Sequence, residues 1–158
     1  MTNEQWEPLA LTYQDMIYRL SFGVLRNHSD AQDVTQDVLL KLLHAEAQFQ
    51  ENEHLRAWLI RVTVNQCRDL LRSPWRRWRA ELPEQISAGT DQTDDSIAVL
   101  EAVGKLPPKL RLAVHLYYYE QYTTAEIATL TGQSESAVRQ QLSRARRKLK
   151  ELLKEAWI

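Results

Sequence analysis

The sequence predicts an all-α chain: two small helical domains joined by an acidic flexible linker, the C-terminal domain a helix–turn–helix. Three observations carry this. Glycine and proline are scarce, with four and five copies in 158 residues, which disfavours a turn-rich β fold. Apolar residues recur at spacings of three and four on either side of a polar, acidic stretch without period, residues 81–95. The 44% hydrophobic and 26% charged shares belong to a chain that buries a core. The expected boundaries are 1–80, 81–95 and 96–158.

In the N-terminal part, Leu9, Tyr13, Met16, Ile17 and Leu20 share a helical face. The pattern breaks around Asn27-His28. Ser29-Asp30-Ala31-Gln32 has the S-x-x-Q form of a capping box and predicts the start of a second helix, with Val34, Val38, Leu39 and Leu42 as its apolar stripe. Residues 46–54 are polar around a single aromatic, Phe49, and predict a loop. A long helix is expected from about Leu55, with Trp58, Leu59, Val62, Gln66 and Leu70 roughly on one face. Pro74 interrupts or ends it ahead of the basic run Trp75-Arg76-Arg77-Trp78-Arg79. Beyond the linker, a helix over 96–104 precedes Leu106-Pro107-Pro108. One of these prolines opens the next helix, where a missing N–H costs least; that helix carries Leu110, Ala113, Val114, Leu116 and Tyr117.

Residues 123–147 hold the sharpest local signal. Thr123-Thr124-Ala125-Glu126 is a T-x-x-E capping box, followed by inward-facing Ile127, Ala128 and Leu130. Gly132 stands where the chain turns and positive φ is needed. Ser134 is placed to cap the next helix, whose buried side is Val138 and Leu142. A surface αα-hairpin shares many of these features. The opposite face decides for DNA: Ser136, Arg139, Gln140, Ser143, Arg144, Arg146 and Arg147 can read base edges or neutralise phosphate, and the second helix of a helix–turn–helix lies in the major groove.

Net charge is −1, but the charge is segregated. Residues 1–60 carry 4 basic and 9 acidic groups, 61–79 carry 6 and 1, 80–104 carry 0 and 6, and 134–158 carry 7 and 3. Neither basic block has acids enough to pair with, and concentrated positive charge attracts a polyanion whatever the net charge. Within the first block, Arg61, Asn65, Arg68, Asp69, Arg72 and Arg76 recur on the helix side opposite the apolar stripe. Donors and acceptors together make a set able to read bases, whereas lysines alone would grip phosphate. Phe49, Trp75 and Trp78 are candidates to stack on unpaired bases. For the two tryptophans core packing stands level with stacking; for Trp58, on the apolar stripe, packing is favoured.

Other classes are disfavoured. Glu51-Asn52-Glu53-His54 holds one E-x-x-H, which di-iron bundles use twice. His28, His44 and His115 lack ligand spacing, Cys67 lacks a CxxC partner, and there is no P-loop or G-x-S-x-G, so no catalytic residue, cofactor or metal is expected. No apolar run approaches the ~18 residues of a membrane span, so no membrane insertion is expected. No export signal is visible, and the lone cysteine fits a reducing cytoplasm.

Four segments, taken together and in order, resemble the extracytoplasmic-function (group IV) sigma factors of bacterial RNA polymerase. Residues 30–41, Asp-Ala-Gln-Asp-Val-Thr-Gln-Asp-Val-Leu-Leu-Lys, are similar to the family segment that binds the clamp helices of the polymerase β′ subunit. Trp58-Leu59-Ile60-Arg61-Val62-Thr63-Val64-Asn65 resembles the W-L-x-R-I-A-x-N of the −10 reading segment. Leu106-Pro107-Pro108-Lys109-Leu110-Arg111 is similar to the L-P-x-x-x-R that opens the fourth sigma region, and residues 122–149 resemble its −35 helix–turn–helix.

The resemblance implies that Asp33, Gln36, Asp37 and Leu40 dock on polymerase. It implies that Asn65 and Asp69, with the loop at Phe49, read −10 bases while Arg61, Arg68 and Arg72 hold the backbone. Arg139, Gln140, Ser143, Arg144 and Arg146 would read or grip the −35 element. Implied partners are core RNA polymerase, through the β′ clamp helices and the β flap, promoter DNA and an anti-sigma factor. Two departures stand out: Ser136-Ala137 replace a common Gly-Thr, and Leu39-Leu40 replace a common aromatic. The competing function is a helix–turn–helix regulator that binds duplex DNA unaided; it leaves residues 30–41 and the Asn65 stripe without a role.

Overall fold

A computed structural model describes residues 3–45, 49, 51–73 and 94–156. The chain divides into two compact units, Met1–Pro83 and Glu84–Ile158.

In the first unit, α1 (Asn3–Leu25), α2 (His28–His44) and α3 (Asn52–Arg72) pack pairwise against one another. Ile17, Leu20, Val34, Val38, Leu42, Leu59, Ile60 and Val64 form its fully buried centre. Each such side chain contributes about 1.5–3 kcal/mol on leaving water. The α1–α2 turn is made by Arg26 at φ 54 and extended Asn27. Asn27, rather than Ser29, caps α2: its Oδ1 accepts from the Asp30 N–H at 2.9 Å. The left-handed Arg26 ends α1 so early that the cap falls two residues ahead of the expected box, and Asn is among the strongest caps.

The third helix also starts ahead of expectation, at Asn52, so residues 52–54 are helical. Its buried row is Leu55, Leu59, Ile60, Thr63, Val64 and Cys67, while Trp58, Val62, Gln66 and Leu70 are only half-buried. The predicted stripe was therefore centred too far to one side. Small and β-branched residues (Thr63, Val64, Cys67) fill the tight contact, and the bulkier Trp58 is left at its margin. The helix stops at Ser73, extended at ψ 127 as a residue before proline must be. Arg76, Trp75, Trp78 and the linker up to residue 93 lie outside the described residues.

In the second unit, α4 (Asp94–Gly104), α5 (Pro108–Val114) and α6 (Thr124–Thr131) all pack on α7 (Glu135–Ala156). The first of these begins two residues earlier than expected. Extended Pro107 caps α5 and Pro108 is its first helical residue. Buried Arg111 donates from Nη1 to the Leu106 carbonyl at 2.5 Å, which gives the L-P-x-x-x-R pattern a local purpose: the arginine closes the turn that the prolines open. Leu106, Leu110 and Ala145 form a buried cluster with Val114 and Leu149 packed on it. After α5 the chain makes a π-helical turn over His115–Tyr119, with the Glu120 N–H reaching the His115 carbonyl at 3.0 Å.

The helix–turn–helix is built as its sequence predicts. Thr123 accepts from the Glu126 N–H at 3.1 Å while Glu126 accepts from the Thr123 N–H at 3.0 Å, a reciprocal capping box. Gly132 takes φ 67, and the Ser134 hydroxyl accepts from the Ala137 N–H at 3.1 Å. A Cβ built on Gly132 would meet nothing within 4 Å, so the only penalty of a side chain there is conformational. Gly132→Ala is expected to destabilise the second unit by about 1–2 kcal/mol in urea unfolding, with Gly132→Asn costing less. Equal losses for the two variants would contradict this account.

Candidate nucleic-acid and polymerase interfaces

Three exposed faces result. On α2, Asp33, Gln36, Asp37 and Leu40 recur at three- and four-residue spacing and all are exposed, Leu40 at 51% although apolar. The Asp37 carboxylate is already oriented: its Oδ2 accepts from Gln66 Nε2 at 2.6 Å, and Gln66 Oε1 accepts from Lys41 Nζ at 3.0 Å. Gln66 thus ties α2 to α3. Its placement among apolar residues in the sequence gave no sign of this, because both partners are more than twenty residues away.

On α3, Arg61, Asn65, Asp69 and Arg72 are exposed and Arg68 is half-buried, all opposite the buried row. Partial burial lowers the Arg68 pKa from its ordinary value, and the neighbouring Arg72 charge lowers it further. A guanidinium stays protonated through such a shift, so both cations are available to phosphate. Phe49 is half-buried and packs edge-on against His54 at 5.5 Å and Trp58 at 5.4 Å, beside the first turns of the helix.

On α7, Val138, Leu142 and Ala145 are buried to 1% exposure or less, which turns all seven predicted residues outward. Helical spacing puts Ser136, Gln140, Ser143 and Arg147 along the middle of the exposed face, Arg139 and Arg146 on one flank and Arg144 on the other. Arg139 is engaged by Glu135 at 2.7 Å, and Glu135 also accepts from the Thr124 hydroxyl at 2.8 Å. Arg146 donates from Nε to the Tyr118 hydroxyl at 2.6 Å, with its guanidinium carbon 5.6 Å from the ring centroids of Tyr117 and Tyr118. In the sequence Tyr117 stands out only as an apolar position of its helix and Tyr118 not at all; nothing local marks a contact across 28 residues. Gln140, Ser143, Arg144 and Arg147 have no hydrogen-bond or ion-pair partner among the described residues. Gln141 Nε2 donates to Gln133 Oε1 at 2.5 Å and Gln133 Nε2 to the Thr131 hydroxyl at 2.8 Å, which holds the turn behind the face.

Among the described residues no group of three His, Cys, Asp or Glu side chains is placed to hold a metal. No described helix is long and apolar enough to cross a membrane.

A helical unit with adjoining acidic and Arg/Asn faces, followed by a helix–turn–helix with a cationic second helix, defines a class: a DNA-binding protein of transcription that also has a protein to dock on. Comparison with known proteins makes this specific. Residues 9–77 match the family "Sigma-70 region 2" and residues 96–149 "Sigma-70, region 4". The chain is 30% identical over 150 residues to the ECF RNA polymerase sigma factor SigM of Mycobacterium tuberculosis, across 94% of this chain and 76% of that protein. It is 30% identical over 159 residues to the RNA polymerase sigma-E factor of Streptomyces antibioticus, across 94% and 84%. The solved structure of the sigma factor RpoE in complex with the anti-sigma factor NepR from Bartonella quintana has the same fold, with a TM-score of 0.80 at 22% identity over 96% of this chain and 98% of that one. The chain belongs to the ECF family of RNA polymerase sigma factors, proteins that bind core polymerase and direct promoter recognition and transcription initiation.

The Gln66 bridge is exposed, so its part in stability is small. Gln66→Leu is expected to cost about 1 kcal/mol or less in chemical denaturation. A loss above about 3 kcal/mol would mean that Gln66 is core rather than a surface tie.

Proposed function

We propose a division of labour among the three faces. Residues 1–80 dock on core polymerase through Asp33, Gln36, Asp37 and Leu40 and capture melted −10 bases. Asn65 and Asp69 read those bases together with Phe49, which packs at the first turns of the same helix, and Arg61, Arg68 and Arg72 hold the backbone. Residues 96–158 read the duplex −35 element through α7, and residues 81–95 join the two. The observation that carries this reading is the outward acidic face of α2 next to the Arg/Asn face of α3: DNA repels the first and attracts the second, so the unit needs two partners of opposite charge. A regulator acting on duplex DNA unaided needs only the α7 face.

On this reading the chain performs no catalysis and needs no cofactor; melting is driven by binding to the opened strand. It works in the cytoplasm, where polymerase is. The RpoE relative was solved with an anti-sigma factor, which supports a protein of that kind as a regulator here. Each DNA contact is weak alone, and polymerase joins them, so affinity for promoters arises in the assembled enzyme.

Run-off transcription by purified core polymerase with this chain, on a randomised promoter library, tests the function. Promoter-specific transcripts are expected only with the chain present; tight sequence-specific gel shifts without polymerase would favour the lone regulator. Asp37→Arg is expected to weaken core binding at least tenfold in a pull-down titration while the circular-dichroism spectrum is kept. Unchanged affinity would mean that α2 is not the docking helix. On a selected promoter, Arg144→Ala is expected to cut −35-dependent initiation by about tenfold, the scale of one bidentate base contact. Undiminished initiation would remove Arg144 from the DNA face.

A further inference from the structure

The tyrosines of the π-helical turn are not explained by the core. Tyr118 is 53% and Tyr119 55% exposed, yet Tyr118 is fixed in place by Arg146. The two rings of Tyr117 and Tyr118 meet edge-on, with centroids 4.9 Å apart and planes at 78°, and both lie beside the Arg146 guanidinium. Within this arrangement Arg146 spends one of its five N–H groups, Nε, on the tyrosine oxygen. Tyr117 takes a second hydrogen bond, and the guanidinium still has donors to spare. The hydroxyl hydrogen of Tyr118 is left over too, because its oxygen is the acceptor. A cation and a hydroxyl with unused donors, side by side and exposed, are built for an oxyanion.

The position of the pair selects which oxyanion. The major groove is about 12 Å wide and a helix with its side chains about 10–12 Å across, so the flanks of a helix lying in the groove face the sugar–phosphate walls. Arg146 is on the flank, two turns from Arg139 in the same row. It also stands eleven residues beyond Glu135, about 16 Å along the axis, whereas base contacts come from the N-terminal turns of a recognition helix. Arg139 is neutralised by Glu135, but no carboxylate pairs with Arg146 among the described residues. The hydrogen bond that Arg146 donates to Tyr118 favours the protonated guanidinium and raises its pKa, so the charge is secure. Held by a ring and a hydroxyl, the guanidinium has less side-chain freedom to lose on binding than a free surface arginine.

We propose that Tyr118 and Arg146 form a clamp for one backbone phosphate of promoter DNA, on the flank of α7. This rests on α7 being the −35 reading helix, and it assigns Arg146 to gripping alone. Tyr118 enters as a DNA-contacting residue from outside the helix–turn–helix.

The test uses holoenzyme assembled from core polymerase and the full chain, on a promoter selected from the library, with binding followed against salt. Arg146→Ala is expected to flatten the slope of log affinity against log salt by about 0.9, the release of one phosphate's counterions. Arg146→Lys should keep the slope and lose part of the affinity. Tyr118→Phe keeps the ring and removes the hydroxyl; it should weaken binding several-fold at unchanged slope, and by less when Arg146 is already alanine. In a scan of single neutral methylphosphonate linkages, one phosphate beside the −35 element should cost the unmodified chain several-fold and the Arg146→Ala holoenzyme nothing. An unchanged salt slope in Arg146→Ala, or no linkage that becomes silent in it, overturns the clamp. Scrambling the −35 element separates the two levels. If scrambling weakens binding but Arg146→Ala leaves the slope intact, only the clamp fails; if scrambling has no effect, the reading of α7 fails and takes the clamp with it.

Discussion

The rotation of each functional helix about its own axis is set by what it buries, and every exposed face depends on that. On α7, Val138, Leu142 and Ala145 lie within 1% of complete burial at offsets of four and three. Turning the helix by one residue so that Arg139 and Arg146 move toward the core would expose Val138 and Ala145 and bury unpaired charge, which costs several kcal/mol. The direction of the arginines follows from that penalty, without any DNA present. The same holds on α3. Leu59, Thr63 and Cys67 face the α1–α2 pair, so Arg61, Asn65, Asp69 and Arg72 can only face out.

A chain with net charge −1 can still present a polyanion with a strongly attractive surface, because screening confines each face to its own neighbourhood. At physiological salt the Debye length is about 8 Å, shorter than the length of any of these helices. The carboxylates of α2 therefore do little to weaken attraction at the far side of α3. Where the two helices meet, the Asp37 carboxylate and the Lys41 ammonium share one partner. That partner is the neutral Gln66 amide of α3, which donates to Asp37 and accepts from Lys41, both on α2. An amide can satisfy both signs at once, so α3 is tied to the charged side of α2 without spending one of its own arginines.

Features that depend on neighbours in sequence were legible, and features that depend on neighbours in space were not. The Thr123–Glu126 box, the left-handed Gly132 and the Ser134 cap all close within three residues, and each was readable. The α2 cap was misplaced to Ser29 because two polar residues compete there, and the winner is decided by where Arg26 breaks α1. The buried row of α3 lies to one side of the stripe expected through Trp58, because the contact with α1 and α2 admits Thr63 and Cys67 more readily than an indole. Of the site residues, those within the described segments stand on exposed or half-buried surface, as a contact needs, but exposure alone does not say what touches them. The Gln66 bridge and the Tyr118–Arg146 pair span 25 to 29 residues and leave no periodic trace.

The π-helical turn shows how such a contact is made from local strain. One extra residue in the hydrogen-bonded ring at His115–Tyr119 breaks the helical ladder, and the chain leaves it through Gln121 at φ 64, a conformation that costs a non-glycine residue about 1–2 kcal/mol. The surroundings hold the distortion in place. Buried Glu120 lies 3.3 Å from the His115 ring nitrogen, and buried Tyr122 donates its N–H to the Leu116 carbonyl at 3.0 Å. A regular continuation of α5 would avoid the strain, but its side chains would advance at α-helical spacing and would not follow the present order. The wider turn lets Leu116 stay in the core while Tyr117 and Tyr118, the next two residues, both reach the flank of α7. The same turn therefore serves two ends: it keeps Leu116, Glu120 and Tyr122 buried, and it sets an exposed, preorganised side-chain pair beside α7, the kind of place where strained backbone is found at functional sites.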